Sequence, residues 1–307
     1  MIRACKDWPL DTSASNRPTA AFLISTLWTP GQKITVSFID PDAPQWKKKW
    51  VEKVITENLQ PVLNLKLVFG NLGSAADIRI TFSREGAYSR LGKNSTWRDS
   101  RMPESMNFGW LDEPYSGSFT WKNVTYNFQP SRFRSNNEVG AVVLHEFGHA
   151  MGMIHEHQNP QGGINWNVAA VQKYFRGPPN YWSNNDIDQN VLSKYSASLL
   201  NASNFDPKSI MLYAFPASLT NDGVSTNYNT KLSQLDTQWL QKVYGIPSTL
   251  NSVTSEQPET PPEPPAPEPP APEPPMRKTP KWWIKIIIVV SIVALLVLIF
   301  EIFRVTS

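Results

Sequence analysis

Cysteine is almost missing from this 307-residue chain: Cys5 stands alone, so no intrachain disulfide can form and a cysteine-rich metal module is excluded. Any metal must be held by histidine and carboxylate. Charge of one sign is scarce as well, because 29 Lys and Arg against 26 Asp and Glu leave +3 with no long basic block. Nothing of that kind can track a phosphate backbone, and nucleic acid drops out as a partner. Met1 to Pro18 contains Arg3, Lys6, Asp7, Asp11 and Arg17 but no apolar stretch long enough for a signal-peptide core, so secretion by that route is not expected. Histidine is also sparse, yet His145, His149, His155 and His157, all that the chain has, fall within thirteen residues. Scattered core or surface histidines would not gather in this way.

What the chain does have is sorted unevenly along it. Its 40% of hydrophobic residues suffices for a core of ordinary size. After a lead over residues 1–18, residues 19–248 read as one mixed α+β domain. Strands are expected at Lys33–Ile39 and Asp77–Phe82 from period-2 alternation, with shorter ones at Leu65–Phe69 and Met106–Leu111. Trp46, Trp50, Val54 and Ile55 repeat at helical spacing, and further helices are expected near Asn167–Phe175 and Gln234–Tyr244, the last with Ser233 as cap and Gly245 as stop.

Two segments follow that domain. Residues 249–280 form a Pro/Glu-rich linker in which E-P-P-A-P occurs at Glu263 and again at Glu268, a composition suited to an extended polyproline spacer or to a ligand for SH3 or WW modules. Residues 281–303 are dominated by Ile, Val and Leu, and from Trp282 to Phe303 they can cross a bilayer core of about 30 Å at ~1.5 Å per residue. A single transmembrane helix is therefore expected, with a short tail over residues 304–307; a buried core helix would seldom lack a polar face. Arg277, Lys278, Lys281 and Lys285 precede or enter the apolar run and only Arg304 follows it, so the positive-inside bias puts the large domain on the cytosolic side, as in tail-anchored proteins. The sequons at Asn94, Asn123 and Asn201 would be glycosylation sites in the opposite, lumenal orientation.

The chemistry is carried by the histidine cluster. Ser135-Asn136-Asn137-Glu138 has the form of a capping box, and the apolar run from Val139 to Leu144 opens a helix. His145-Glu146-Phe147-Gly148-His149 then places two imidazoles one helical turn apart on one face, where both can reach a single Zn²⁺ at ~2.0–2.1 Å. Glu146 projects beside the metal, the position of a general base acting on water. Gly152 can adopt the left-handed conformation that ends a helix, so that His155 returns as a third ligand. The whole string, His145-Glu146-x-x-His149-x-x-Gly152-x-x-His155, is far more specific than its first five residues.

These residues resemble the metzincin zinc endopeptidases and, within them, the astacin-like group, because Glu156 and His157 follow the third ligand. The resemblance extends to Ser209-Ile210-Met211-Leu212-Tyr213, which is similar to the family's Met-turn, and spans most of Pro18 to Gly245. It implies a zincin-like fold with a twisted mixed sheet and an active-site helix, one catalytic Zn²⁺, and hydrolysis of peptide bonds in proteins and peptides. By likeness, Met211 underlies the metal and Tyr213 ligates it or stabilises the reaction intermediate. Met106-Asn107-Phe108-Gly109-Trp110 is similar to the edge strand along which the family binds substrate. Glu156 matches the glutamate that contacts the mature amino terminus in astacins, and His157 is expected behind the ligands or at the surface. Secreted astacins carry disulfides and a propeptide, whereas this chain looks closer to the shorter astacin-like domains of microbial proteins, and a Cys5 thiolate capping the zinc has only its residue type in favour. Three other readings stay open: a catalytically silent binding module, a structural zinc site, and a membrane scaffold whose spacer is the functional part.

Overall fold

A computed structural model describes residues 26–112, 117–128, 136–178, 180–194 and 204–247. The lead with Cys5, the proline-rich linker, the expected transmembrane segment and Ser135 all lie outside the described residues. Among those described, no helix is long and apolar enough to cross a membrane.

Five strands form one sheet. In chain order they are β1 (Lys33–Phe38), β2 (Lys66–Phe69), β3 (Ile78–Thr81), β4 (Ala87–Ser89) and β5 (Met106–Phe108), and in space the order is β2-β1-β3-β5-β4. β1 runs parallel to both β2 and β3, β3 runs parallel to β5, and β4 alone is antiparallel. A separate hairpin joins β6 (Gly117–Trp121) to β7 (Val124–Phe128). Its tip residues Lys122 and Asn123 take left-handed φ values of 48° and 63°.

Helix α1 (Gln45–Val54) buries Trp50, Val51 and Val54, the stripe that helical periodicity marks, and continues into a π-helical turn over Ile55–Leu59. A short 3₁₀ turn containing Pro61 closes it, since proline has no N–H to continue the ladder. Helix α2 (Asn136–Ala150) is apolar over most of its length because it crosses the interior. Ile34, Val36, Ile78, Ile80 and Phe108 of the sheet meet Val143 and Phe147 of α2 in one core, with the Phe108 and Phe147 rings stacked at 6.4 Å. Fully burying each such side chain contributes about 1.5–3 kcal/mol.

Helices α3 (Val168–Arg176) and α4 (Asn184–Ile187) build a second, smaller core from Val171, Phe175, Trp182, Ile187, Val191, Tyr213, Phe215 and Leu219. Asn167 caps α3 by accepting from the Ala170 N–H, and Ser183 forms a capping box with Asp186 on α4. The last helix among the described residues, α5 (Gln234–Tyr244), starts with a second capping box between Ser233 and Asp236 and stops at Gly245, whose φ is 83°.

Two features depart from the sequence reading. Met106, Asn107 and Phe108 are fully buried in β5, between β3 and β4, so they are not at an edge of the sheet; β2 and β4 are its edge strands. The Asn107 amide explains why a polar residue sits there: Nδ2 donates to the carbonyls of Arg84 (3.2 Å), Glu85 (3.4 Å) and Gly86 (2.8 Å), while Oδ1 accepts from the Arg84 N–H (3.3 Å). The motif thus shapes the turn that feeds the edge strand. Arg79 on β3 is likewise fully buried although alternation leaves it a polar position. Its guanidinium donates to the carbonyls of Ala76, Asp77, Ser95, Trp97 and Pro103, gathering the loop that covers that face.

Candidate metal centre and active site

α2 delivers the first two imidazoles. His145 and His149 stand one turn apart with ring centroids 4.9 Å from each other. The helix then ends in a Schellman motif: the Gly152 N–H bonds the His149 carbonyl (2.7 Å), the Met153 N–H bonds the Gly148 carbonyl (2.9 Å), and Gly152 has φ 87°. That left-handed residue turns the chain back, and His155 arrives with its Nε2 3.2 Å from Nε2 of His149.

One nitrogen from each of His145, His149 and His155 lies within 4.8 Å of the others. His145 Nδ1 is 2.9 Å from the Ile210 carbonyl and His149 Nδ1 is 2.8 Å from that of Met153. A carbonyl only accepts, so both Nδ1 atoms carry the proton and Nε2 keeps its lone pair for a metal. Two nitrogens bound to one tetrahedral zinc stand about 3.3–3.4 Å apart, which the 3.2 Å between His149 and His155 matches. Burial, reinforced by the neighbouring His145, holds His155 well below the ordinary imidazole range, in the neutral form that ligates. The donor set therefore fits zinc.

Around this group the other named residues take definite places. Glu146 is fully buried on α2, next to His145. The Tyr213 hydroxyl is 2.7 Å from His155 Nε2, and its ring stacks on His145 at 5.8 Å. Met211 is buried below Gly148, where a Cβ added to the glycine would lie 2.5 Å from Met211 Sδ. Since Met211 belongs to the large core and Tyr213 to the small one, the segment between them passes from one core to the other beneath the site.

Glu156 is buried rather than facing solvent, and its Oε1 accepts from the Asp206 N–H (2.8 Å) and Asn159 Nδ2 (3.0 Å). Burial pushes its carboxyl up to about 7, partly offset by those two donors, with Asp236 and Asp206 adding to the rise. His157 is buried too: its Nε2 donates to the Asn190 carbonyl (2.8 Å) and its ring lies 4.8 Å from that of Tyr213. Sequence reasoning missed Asp236, which accepts from Ser209 Oγ (2.7 Å) and the Ile210 N–H (2.8 Å). The spacing of Asp236 three residues after the Ser233 cap could have flagged it as a capping-box residue, but nothing in the sequence ties it to the Met-turn.

Three imidazoles on a helix and its return loop, over a methionine turn and beside a tyrosine, define a zinc metalloendopeptidase. Two solved structures agree. One structure of myroilysin is 35% identical over 73% of this chain and 97% of its own, with a TM-score of 0.62; a second is 32% identical over 79% and 91%, with a TM-score of 0.52. High choriolytic enzyme 1, a hatching enzyme zinc-protease from Oryzias latipes, is 15% identical over 74% and 98%, with a TM-score of 0.43. No protein-family model and no curated protein matches the chain. The chain belongs to the astacin-like family of zinc metalloproteases, with one catalytic zinc and protein substrates.

Proposed function

We propose that this endopeptidase works with Glu146 as its general base and Tyr213 as a donor to the developing oxyanion, while held at a membrane by residues 282–303. Zinc, when bound, supplies Lewis acidity that lowers the pKa of water from ~15.7 toward ~7. Glu146 takes the proton of the attacking water and returns it to the leaving amine, base first and acid afterwards. Its place on α2 one residue beyond His145 supports this role. The observation that carries the reading is the Tyr213 hydroxyl 2.7 Å from Nε2 of a ligating histidine, since a donor there meets negative charge as it forms on the carbonyl oxygen. Substrate would lie along β4, the antiparallel edge strand, by main-chain pairing.

The tether is supported by the sequence of residues 249–303 alone: an extended spacer followed by an apolar run, with lysines and arginines mostly on its amino-terminal side. Together they give a protease that patrols proteins near the surface that holds it, on the cytosolic face by the charge bias. A silent binding module loses ground because Glu146 and all three histidines are retained. The deciding experiment incubates the purified chain with a peptide library, with and without a chelator, beside a Glu146→Ala variant. Chelator-sensitive cleavage that disappears in the variant supports the proposal; cleavage that persists in the variant removes Glu146 from it.

A further inference from the structure

Asp236 lies in the first turn of α5, remote in sequence from α2, and its carboxylate is directed into the methionine turn. It is nearly buried, with 5% of its surface exposed. Three donors converge on it: Ser209 Oγ at 2.7 Å on Oδ1, and the N–H groups of Ile210 at 2.8 Å and Ser233 at 2.9 Å on Oδ2. The Ser233 contact belongs to the capping box and needs no other explanation. The two from Ser209 and Ile210 do not serve the helix. They pin residue 210, whose own carbonyl receives the Nδ1 proton of His145 at 2.9 Å.

From this chain of contacts we propose that Asp236 is a positioning residue for the metal centre, acting through Ile210 to orient His145. The inference rests on the reading of His145 as a zinc ligand. A ligating imidazole is usually fixed by a partner on its second nitrogen, and that partner must itself be held. Here the partner is a backbone carbonyl in a turn with no strand or helix ladder to hold it. A buried carboxylate accepting from the adjacent N–H supplies the anchor, and charge assistance makes those hydrogen bonds the strong kind. The amino end of α5 thereby tunes how firmly α2 grips its metal.

The test is the rate at which the zinc-loaded full chain loses metal to a chromogenic chelator, read beside its thermal midpoint. Asp236→Ala should speed release about 10–100-fold, the usual consequence of deleting an outer-shell partner. Asp236→Asn keeps an oxygen for Ile210 and an amide for Ser209, and should fall between wild type and the alanine variant; it also gives the answer should alanine prevent folding. Ser233→Ala weakens the same helix cap without touching Ile210, so it should lower the midpoint and leave release at the wild-type rate. Wild-type release from the Asp236 variants, or equal acceleration by Ser233→Ala, would overturn the proposal. A His145→Ala variant that still holds stoichiometric zinc would instead sink the ligand assignment beneath it.

Discussion

Gly148 and Met211 are in contact so close that no side chain fits between them: a Cβ on the glycine would come within 2.5 Å of the methionine sulfur. The helix carrying two ligands therefore rests directly on the turn below it. Gly148→Ala should push Met211 off its seat and destabilise the protein by about 1–3 kcal/mol, the range for overpacking a filled core. Met211→Ala should cost about 2–5 kcal/mol through the cavity it leaves. Because the two defects compensate in volume, the double variant should be more stable than the sum of the singles implies. Urea unfolding of all four proteins measures this; strict additivity would mean the contact is not the source of the cost.

Replacing Glu146 by Gln should abolish hydrolysis while leaving zinc stoichiometric, because the side chain stands beside the ligands rather than among them. Metal analysis and turnover on one peptide, measured on the same preparation, separate the two. Loss of zinc along with activity would make Glu146 a ligand or its support instead of a base.

Tyr213→Phe keeps the ring contacts with His145 and His157 and removes only the hydroxyl near His155. A donor that acts as the oxyanion forms should show a fall in kcat of about 100-fold with little change in KM. An unchanged kcat would leave the tyrosine a packing residue of the smaller core.

Glu156 gives the fold a pH dependence of known sign. Its carboxyl is raised to about 7 in the folded chain. Its stabilising contribution is therefore complete below the unfolded carboxyl value and is lost as pH rises through about 7. Over that interval the loss is roughly 3 kcal/mol as an upper bound. Glu156→Gln can still accept from the Asp206 N–H and does not titrate, so the stability difference between variant and wild type should grow in the variant's favour between pH 5 and pH 8. Parallel curves for the two proteins in chemical denaturation would show that the carboxyl does not titrate in this window.

Orientation at the membrane is open to a direct measurement. Asn123 sits exposed at the β6–β7 tip, whereas Asn94 is half-buried beside the fully buried Ser95. Of these two described sequons Asn123 is the more accessible; Asn201 lies outside the described residues. Protease digestion of sealed membranes should reach the catalytic domain without detergent and find Asn123 unmodified; shielding or glycosylation at Asn123 would reverse the orientation and leave the zinc chemistry as it is.

Much of the site could be read in the sequence because its logic is local. Helical spacing fixes His145 relative to His149, a left-handed glycine turns the chain after a helix, and the Ser233 cap and Gly245 stop bound α5. β1, β3, α1 and α3 were equally visible, since their apolar residues recur at the period of the element. β4 was not, because three residues, Ala87 to Ser89, are too short for any period to register. The edge reading of β5 rests instead on the likeness of Met106-Asn107-Phe108-Gly109-Trp110 to the family's substrate strand, and nothing local reveals that the Asn107 amide is spent on a neighbouring turn. Asp236 was hidden for the same reason, its partners being remote in sequence.

Arg79 has a further consequence. The guanidinium collects five backbone carbonyls and so ties the connection between β4 and β5 to the start of β3, the work that a cross-link between cysteines often performs in small secreted enzymes. Burial lowers its pKa to about 10, which still leaves it cationic at neutral pH. A clasp built from hydrogen bonds is indifferent to thiol reductants, so this loop keeps its shape at any glutathione potential.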